Sequence, residues 1–262
     1  MQAVTGVFPS QKQAEVAVKK LQAHVVPADK ITLLTPGENV PEELAPLPVD
    51  TTEQPGMGTA IGAVVGGAAG ISGGLLVAAI PGVGPVIAVG ILGAEILGAA
   101  GAAIGGLVGR SLENVTSQGL PEDEIFVYED ALRRGRSVVV SLAEDEHTAR
   151  RVRELLEETA AETVDAARDQ WWIGLRSAER EHYAKSGRDF HQDEKFYRLG
   201  FEAALHARTR CKEFDQVSAE MDARLEDLQR QNPGVDLAEP FTRGYQRGRE
   251  YYQRVCDRTK AA

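Results

Sequence analysis

Residues 58–109 read GTAIGAVVGGAAGISGGLLVAAIPGVGPVIAVGILGAEILGAAGAAIGGLVG, an apolar tract in which glycine or alanine recurs at four-residue spacing. Between Gln54 and Gly109 the only charged residue is Glu95, and seventeen of the chain's 27 glycines lie in this interval. Small residues at this spacing share one face of a helix and let a second helix approach closely. We therefore expect helix packing through Gly58, Gly62, Gly66, Gly70, Gly74, Gly98, Gly101, Gly105, Gly106 and Gly109.

A proline- and glycine-rich segment divides the tract near its middle. Proline cannot continue a helix and glycine permits a tight turn. We predict a helical hairpin over residues 57–109 with its turn at 81–85, made by Pro81, Gly82, Gly84 and Pro85.

The two predicted helices are long enough to cross a bilayer. Residues 58–80 and 85–109 number 23 and 25, which gives ~34–38 Å of helix against a hydrocarbon core of ~30 Å. Each glycine costs ~1 kcal/mol relative to alanine in a solvated helix, so the tract must be enclosed by lipid or by protein. We expect membrane insertion of a homo-oligomer; the alternative is a large lipid-free homo-oligomer with the hairpins in its core.

Glu95 is the one polar exception in the second predicted helix. A charged carboxylate in a bilayer costs ~2.5–3.5 kcal/mol or more, so we expect it to be protonated or hydrogen-bonded, with Ser72 as a candidate partner. Glue between helices is the favoured role, and a proton or ion site in a small conducting oligomer is the alternative.

The segments on either side of the tract predict two halves of one α+β domain. Strands are expected at 3–8, 31–34 and 137–142, and helices from Ser10, from 120 to 134 and from 144 to 165. A hairpin returns both halves to one side, where they can form a split ferredoxin-like domain. The predicted units are 1–35 and 110–165 (the two halves), 36–56 (a proline-rich linker), 57–109 (the hairpin) and 166–262 (a polar helical tail).

The tail is rich in arginine and aromatic residues, and we expect several short helices in it; partial disorder is the alternative. It also contains a weak internal repeat. Phe196-Tyr-Arg-Leu-Gly-Phe201 and Phe241-Thr-Arg-Gly-Tyr245 both place an aromatic residue, an arginine, a glycine and an aromatic residue in that order.

Charge and cysteine content limit the classes of partner and the compartment. The net charge is −10, and no block is basic enough for a phosphate backbone, so we expect no nucleic-acid partner. Cys211 and Cys256 are expected to be free cytosolic thiols, with a disulfide as the alternative. Met1 to Phe8 lack the features of a signal peptide. We predict an inner-membrane protein with both termini cytoplasmic, or alternatively a cytoplasmic assembly.

Motifs of catalysis are weak in this sequence. It has no phosphate loop with a following lysine and no nucleophile elbow. Glu179-x-x-His182 and His191-x-x-Glu194 have the spacing of metal ligands in a helical bundle, but a solvated helix face is the favoured explanation. We expect no enzyme activity, no catalytic residues, no cofactor or metal, and no small-molecule substrate.

Several runs resemble bacterial general stress proteins of the heat-induced, glycine-zipper type. The resemblance rests on Ile80-Pro-Gly-Val-Gly-Pro85, Gly119-Leu-Pro-Glu-Asp-Glu124, Tyr128-Glu-Asp-Ala-Leu-Arg-Arg-Gly135 and Ser137-Val-Val-Val-Ser141, and it covers about residues 3–35 and 56–255. It implies a stress-associated bacterial protein without established catalytic residues, although Glu95 departs from the uniformly small or apolar hairpin of that family. The expected function is therefore that of a structural or interaction protein that self-assembles through its glycine-zipper hairpin.

Overall fold

The computed structural model describes residues 1–37, 75–80, 84–89, 121–206, 208–210 and 214–260. The chain divides into two compact units, Met1–Ala167 and Arg168–Ala262. The first combines sheet and helix and the second is helical, so the predicted α+β class is confirmed.

The N-terminal unit contains six strands and three complete helices among the described residues. In chain order they are β1 (Gln2–Phe8), α1 (Gln11–His24), β2 (Ile31–Pro36), β3 (Leu75–Ile80), β4 (Gly84–Val89), α2 (Ile125–Arg133), β5 (Ser137–Ala143), α3 (Glu146–Glu158) and β6 (Glu162–Thr163). The strands predicted at 3–8, 31–34 and 137–142 are confirmed, each within two residues of its predicted ends.

The six strands form one sheet in the order β3-β4-β2-β5-β1-β6, and every neighbouring pair is antiparallel. β5 lies between β1 and β2. All seven of its residues are buried, as expected for a valine-rich strand covered on both faces.

Helices α1 and α3 cover one face of the sheet. Ser10 begins α1 by accepting a hydrogen bond from the Gln13 backbone N–H at 3.4 Å, and Asp145 begins α3 in the same way with Thr148 at 2.7 Å. Their apolar sides bury one continuous core against β1, β2 and β5, which includes Val4, Phe8, Leu21, Ile31, Val139, Val152 and Leu156.

The opposite face of the sheet packs against α2. The Tyr128 hydroxyl lies 3.0 Å from Thr5 Oγ1 on β1 and donates to the Glu124 carboxylate at 2.5 Å. Burial, together with that carboxylate, raises the pKa of Tyr128 well above its ordinary value. This polar contact fixes α2 over a face that is otherwise lined by buried aliphatic residues such as Val7, Leu34 and Val140.

The apolar tract differs from its prediction. Residues 75–80 and 84–89, expected in two long helices, form a β-hairpin. β4 pairs with β2 from Leu33↔Val89 to Pro36↔Val86, so the hairpin extends the sheet of the flanking halves. Gly84 and Pro85, which were predicted to lie in the turn, are the first residues of β4, and residues 81–83 lie outside the described residues.

The helix prediction failed because a short apolar run has no periodicity that distinguishes a strand from a helix. Five of the twelve residues of β3 and β4 are valine or isoleucine, which are β-branched and favour strands. β2 offers an unpaired edge that satisfies the backbone of β4. Pro36 lies in the last pair of the β2–β4 ladder and Pro85 in the last pair but one of the β3–β4 ladder, where a missing N–H is tolerated.

The membrane prediction is also corrected. Within the described ranges, no helix combines the length and the apolarity needed to cross a bilayer. This finding contradicts the predicted transmembrane helices and the inner-membrane location that was based on them.

Within its described residues, the C-terminal unit contains four α-helices. Helix α4 (Val164–Ala184) enters it, and α5 (Phe190–Ala203), α6 (Ser218–Gln231) and α7 (Ala238–Lys260) follow. The tail was expected to hold several short helices, and these are 14 to 23 residues long.

Helices α5 and α7 cross at glycines that bring their backbones into contact. A Cβ atom on Gly200 would lie 1.9 Å from the Phe241 carbonyl oxygen, and one on Gly244 would lie 1.9 Å from the Tyr197 carbonyl oxygen. The two contacts are reciprocal, so the weak repeat in the sequence corresponds to a local two-fold arrangement of the two helices. In this arrangement Tyr197 is equivalent to Phe241, and Phe201 to Tyr245.

Aromatic side chains form the core beside this crossing. The ring centroids of Trp171 and Phe201 are 5.8 Å apart at an interplanar angle of 64°, and those of Tyr183 and Tyr197 are 4.9 Å apart at 75°. Such edge-to-face pairs stabilise a core beyond the area they bury. The tail therefore compensates for its few aliphatic residues with edge-to-face aromatic pairs.

We predict that Gly200→Ala and Gly244→Ala each lower the free energy of unfolding of the C-terminal unit by about 2 kcal/mol or more, because the methyl group meets a backbone carbonyl. The usual effect of this substitution within a helix is a gain of about 1 kcal/mol. Trp171 and Trp172 are the chain's only two tryptophans, and both are buried in this unit. Their fluorescence during denaturant unfolding therefore reports on it specifically.

The matched control is Gly174→Ala, at an exposed position of α4. This variant should be as stable as the wild type or slightly more so. Equal stability of all three variants would contradict the close helix crossing.

Candidate functional site

The structure describes only two of the predicted site residues. Gly84 and Pro85 are the first residues of β4. The remaining predicted positions lie outside the described residues: Gly58, Gly62, Gly66, Gly70, Gly74, Gly98, Gly101, Gly105, Gly106, Gly109, Pro81, Gly82, Ser72 and Glu95. Cys211 also lies outside them.

The first candidate site is the outer edge of β3, the last strand of the described sheet. Within the part of the chain that the structure describes, β3 pairs only with β4. Its register partner for Ala79 is Pro85, which has no N–H and so cannot exchange two hydrogen bonds with it. By alternation, the N–H groups of Leu75, Val77 and Ala79 point away from β4.

Among the described residues, β3 carries none of the features that discourage pairing with another strand. Natural edge strands carry charges, prolines or bulges that block such pairing. β3 reads Leu-Leu-Val-Ala-Ala-Ile over residues 75–80, with no charge and no proline. This composition is typical of a strand that is covered on both faces and paired on both edges.

The second candidate site is centred on a buried carboxylate in the C-terminal unit. Glu179 on α4 has a side chain only 3% exposed. Its Oε2 accepts hydrogen bonds from the Tyr197 hydroxyl at 2.8 Å and from Arg247 Nε at 2.9 Å. Burial, and then the Glu179 carboxylate, raise the pKa of Tyr197 above its ordinary value. This triad joins α4, α5 and α7.

A cleft of about 160 Å³ lies beside the triad. Four basic side chains line it: His182 and Lys185 at the end of α4, and Arg243 and Arg247 on α7. We call it the cationic cleft. Its other lining residues are Tyr183, Ser186, Tyr197, Gln246 and Glu250.

The basic groups of the cationic cleft differ in how they are held. Arg243 pairs with Glu239 at 2.7 Å, and Arg247 donates from Nη1 to the Glu250 carboxylate at 2.9 Å. The exposed side chains of His182 and Lys185 form no hydrogen bond or ion pair with the residues described. The cleft thus contains both anchored and available donors.

Two further carboxylates stabilise the unit beside the cleft. Burial alone would raise the pKa of Asp193, but hydrogen bonds from Arg188 and Tyr183, each at 2.7 Å, outweigh burial and lower that pKa. Glu194 accepts two hydrogen bonds from Arg176 at 2.6 Å, which lower its pKa despite partial burial. Both carboxylates therefore favour the folded state in their ionised form.

The two glutamates of the possible metal-ligand pairs are hydrogen-bonded to other side chains. Glu179 binds Tyr197 and Arg247, and Glu194 binds Trp172 and Arg176. Among the described residues, no group of three potential ligands is close enough together to hold a metal ion.

Sequence reasoning missed the residues around Glu179. The repeat of an aromatic residue, two intervening residues, a glycine and an aromatic residue was the available signal, since it marks Gly200 and Gly244. It did not identify Arg247 as the partner of a buried carboxylate, because that pairing joins positions 68 residues apart.

Comparison with known proteins yields no family: no family model, curated protein or solved structure matches this chain. Function must therefore be argued from the two candidate sites.

We predict that Glu194→Gln destabilises the C-terminal unit at pH 7 and that the difference from wild type shrinks as the pH falls to about 3. The folded-state pKa of Glu194 lies below its ordinary value. Its stabilising contribution is therefore complete above the unfolded value of about 4.3 and is lost as the pH falls through the folded value. Denaturant unfolding followed by tryptophan fluorescence at both pH values measures the difference.

The control for this prediction is Glu181→Gln, on an exposed part of α4. It should change stability little at either pH. A destabilisation by Glu194→Gln that is the same at pH 7 and pH 3 would contradict the ion-pair explanation.

Proposed function

We propose that the chain is a non-enzymatic structural protein that self-associates by pairing β3 of one copy with β3 of a second copy. The observation that carries this proposal is the edge position of β3 in the described sheet, combined with its uncharged sequence. Two antiparallel copies of β3 join two six-stranded sheets into one continuous sheet.

A second copy of the chain is the partner that best fits this edge. Identical antiparallel strands are self-complementary about a two-fold axis, which is the commonest symmetry of protein dimers. β3 contains no charge that would repel its own copy. The outward N–H and C=O groups then gain partners, and the apolar tract gains protection from water.

Larger assemblies remain compatible with this interface. The glycines flanking the hairpin at 58–74 and 90–109 give the tract small residues that suit close packing in a lipid-free homo-oligomer. In that proposal the β3 pair is the elementary contact, and packing of the rest of the tract adds further copies.

We also propose a ferredoxin-like arrangement for the central strands. The order β2-β5-β1-β6, with α1 and α3 on one face, supports this assignment. The β3–β4 hairpin is then an extension beside β2. Membership of the general stress proteins likewise remains a proposal, supported by the motifs quoted above.

The test is Val77→Pro, which removes one outward N–H from β3 while leaving the pairs with β4 intact. We expect the full-length wild type to sediment as a dimer or larger particle at micromolar concentration, and Val77→Pro to sediment as a monomer. Sedimentation velocity measures the size, and circular dichroism verifies that the variant is folded.

The matched control is Val77→Thr, which keeps the N–H and the β-branched shape and should keep the assembly. Ala78→Pro tests the register, because its N–H is directed at β4 and its loss should destabilise the hairpin itself. A folded Val77→Pro variant with the wild-type particle size would contradict pairing through β3.

A further inference from the structure

We infer that the cationic cleft of the C-terminal unit binds a small phosphate-type oxyanion. This goes beyond the proposed self-association, because the cleft is lined entirely by residues of the other unit. Lys185, Arg243 and Arg247 supply the charged donors.

The size of the cleft limits the ligand. Pockets for drug-sized molecules enclose ~300–1,000 Å³, whereas this cleft encloses about 160 Å³. A free tetrahedral oxyanion or a single phosphoryl group fits such a volume.

Arg247 is the fixed element of the site. Its Nε donates to Glu179 at 2.9 Å, and the Glu179 side chain is buried and further held by Tyr197. The guanidinium plane is therefore oriented before any ligand arrives. A planar guanidinium held in this way can present two parallel donors to an oxyanion.

Glu250 occupies the position that the oxyanion would take on Arg247. The Glu250 carboxylate accepts a hydrogen bond from Arg247 Nη1 at 2.9 Å, yet the Glu250 side chain is 57% exposed. It also lies 3.8 Å from Arg254 on the same helix. A dianion can displace Glu250 from Arg247, and Glu250 then keeps Arg254 as its partner.

The remaining donors line the same cleft. Lys185 and His182 have exposed side chains with no hydrogen bond or ion pair to the residues described. Gln246 adds a neutral donor to the lining, whereas the Ser186 hydroxyl donates to the Tyr183 carbonyl at 2.7 Å. Three carboxylates, Glu239, Glu179 and Glu250, pair with Arg243 and Arg247 and together balance the formal charge of Lys185 and the two arginines. We therefore expect weak affinity that decreases further with added salt.

The experiment is isothermal titration of the full-length chain with inorganic phosphate at low ionic strength. We expect saturable 1:1 binding, with sulfate competing and acetate competing poorly. Lys185→Ala should weaken binding roughly tenfold, as expected for loss of a hydrogen bond to a charged group. Glu250→Gln should tighten binding several-fold, because it removes the competing carboxylate.

The charge-matched control is Arg230→Gln, on α6 and outside the cleft. Arg230 is 69% exposed and pairs only locally with Asp227. Its loss should leave phosphate affinity unchanged. Tryptophan fluorescence confirms that each variant keeps a folded C-terminal unit.

The inference is overturned by any of four results. These are absence of saturable binding, equal weakening by Lys185→Ala and Arg230→Gln, weaker binding by Glu250→Gln, or binding to phosphatidic-acid vesicles without binding of free phosphate. Tighter binding by Glu250→Gln together with selective loss in Lys185→Ala supports it.

Discussion

The N-terminal unit depends on β2 being paired along both of its edges. Leu33 and Leu34 are register partners of Val139 and Val138 on β5, and of Val89 and Ala88 on β4. The first ladder joins the two halves of the domain, and the second attaches the apolar tract to them. Without the second ladder, the β3–β4 hairpin would keep its own pairing but would lose its attachment to the rest of the sheet. The same attachment places β3 at the edge of the described sheet, where we propose that a second copy pairs.

The C-terminal unit follows a different principle. It has few aliphatic residues, so its stability relies on backbone contact at Gly200 and Gly244, on stacked aromatic rings, and on carboxylates held by arginines. A buried carboxylate such as Glu179 is unfavourable unless it is paired and hydrogen-bonded. Arg247 and Tyr197 meet that requirement, and in doing so they orient a guanidinium beside a cleft. The contacts that stabilise the unit are therefore also the ones that orient the arginine at the proposed oxyanion site.

Much of the fold was predictable from local patterns. The three predicted flanking strands and the helix that begins after Ser10 agree with the structure, because they have a clear cap or a valine-rich run. The helix predicted from 144 to 165 is wrong in its second part, because α3 ends at Glu158 and β6 follows it. The strands at 75–80 and 84–89 were not predictable in this way, because an unbroken apolar run suits a buried strand as well as a buried helix. The deciding factor was the free edge of β2, which is a tertiary feature. The glycine spacing pointed to helices, and it could not report that a neighbouring strand offers backbone partners.

The candidate sites, like the fold, were only partly predictable from the sequence. The repeat around Gly200 and Gly244 was visible in the sequence, but the contact between Glu179 and Arg247 joins distant positions and required coordinates. The most direct measurement of the central claim is an NMR assignment of residues 75–80 and 84–89 in the full-length protein. We predict strand-type ¹³Cα and ¹³Cβ shifts and an Hα–Hα NOE between Leu34 and Ala88, which are register partners. Helical shifts across these residues, without that NOE, would contradict the attachment of the tract to β2.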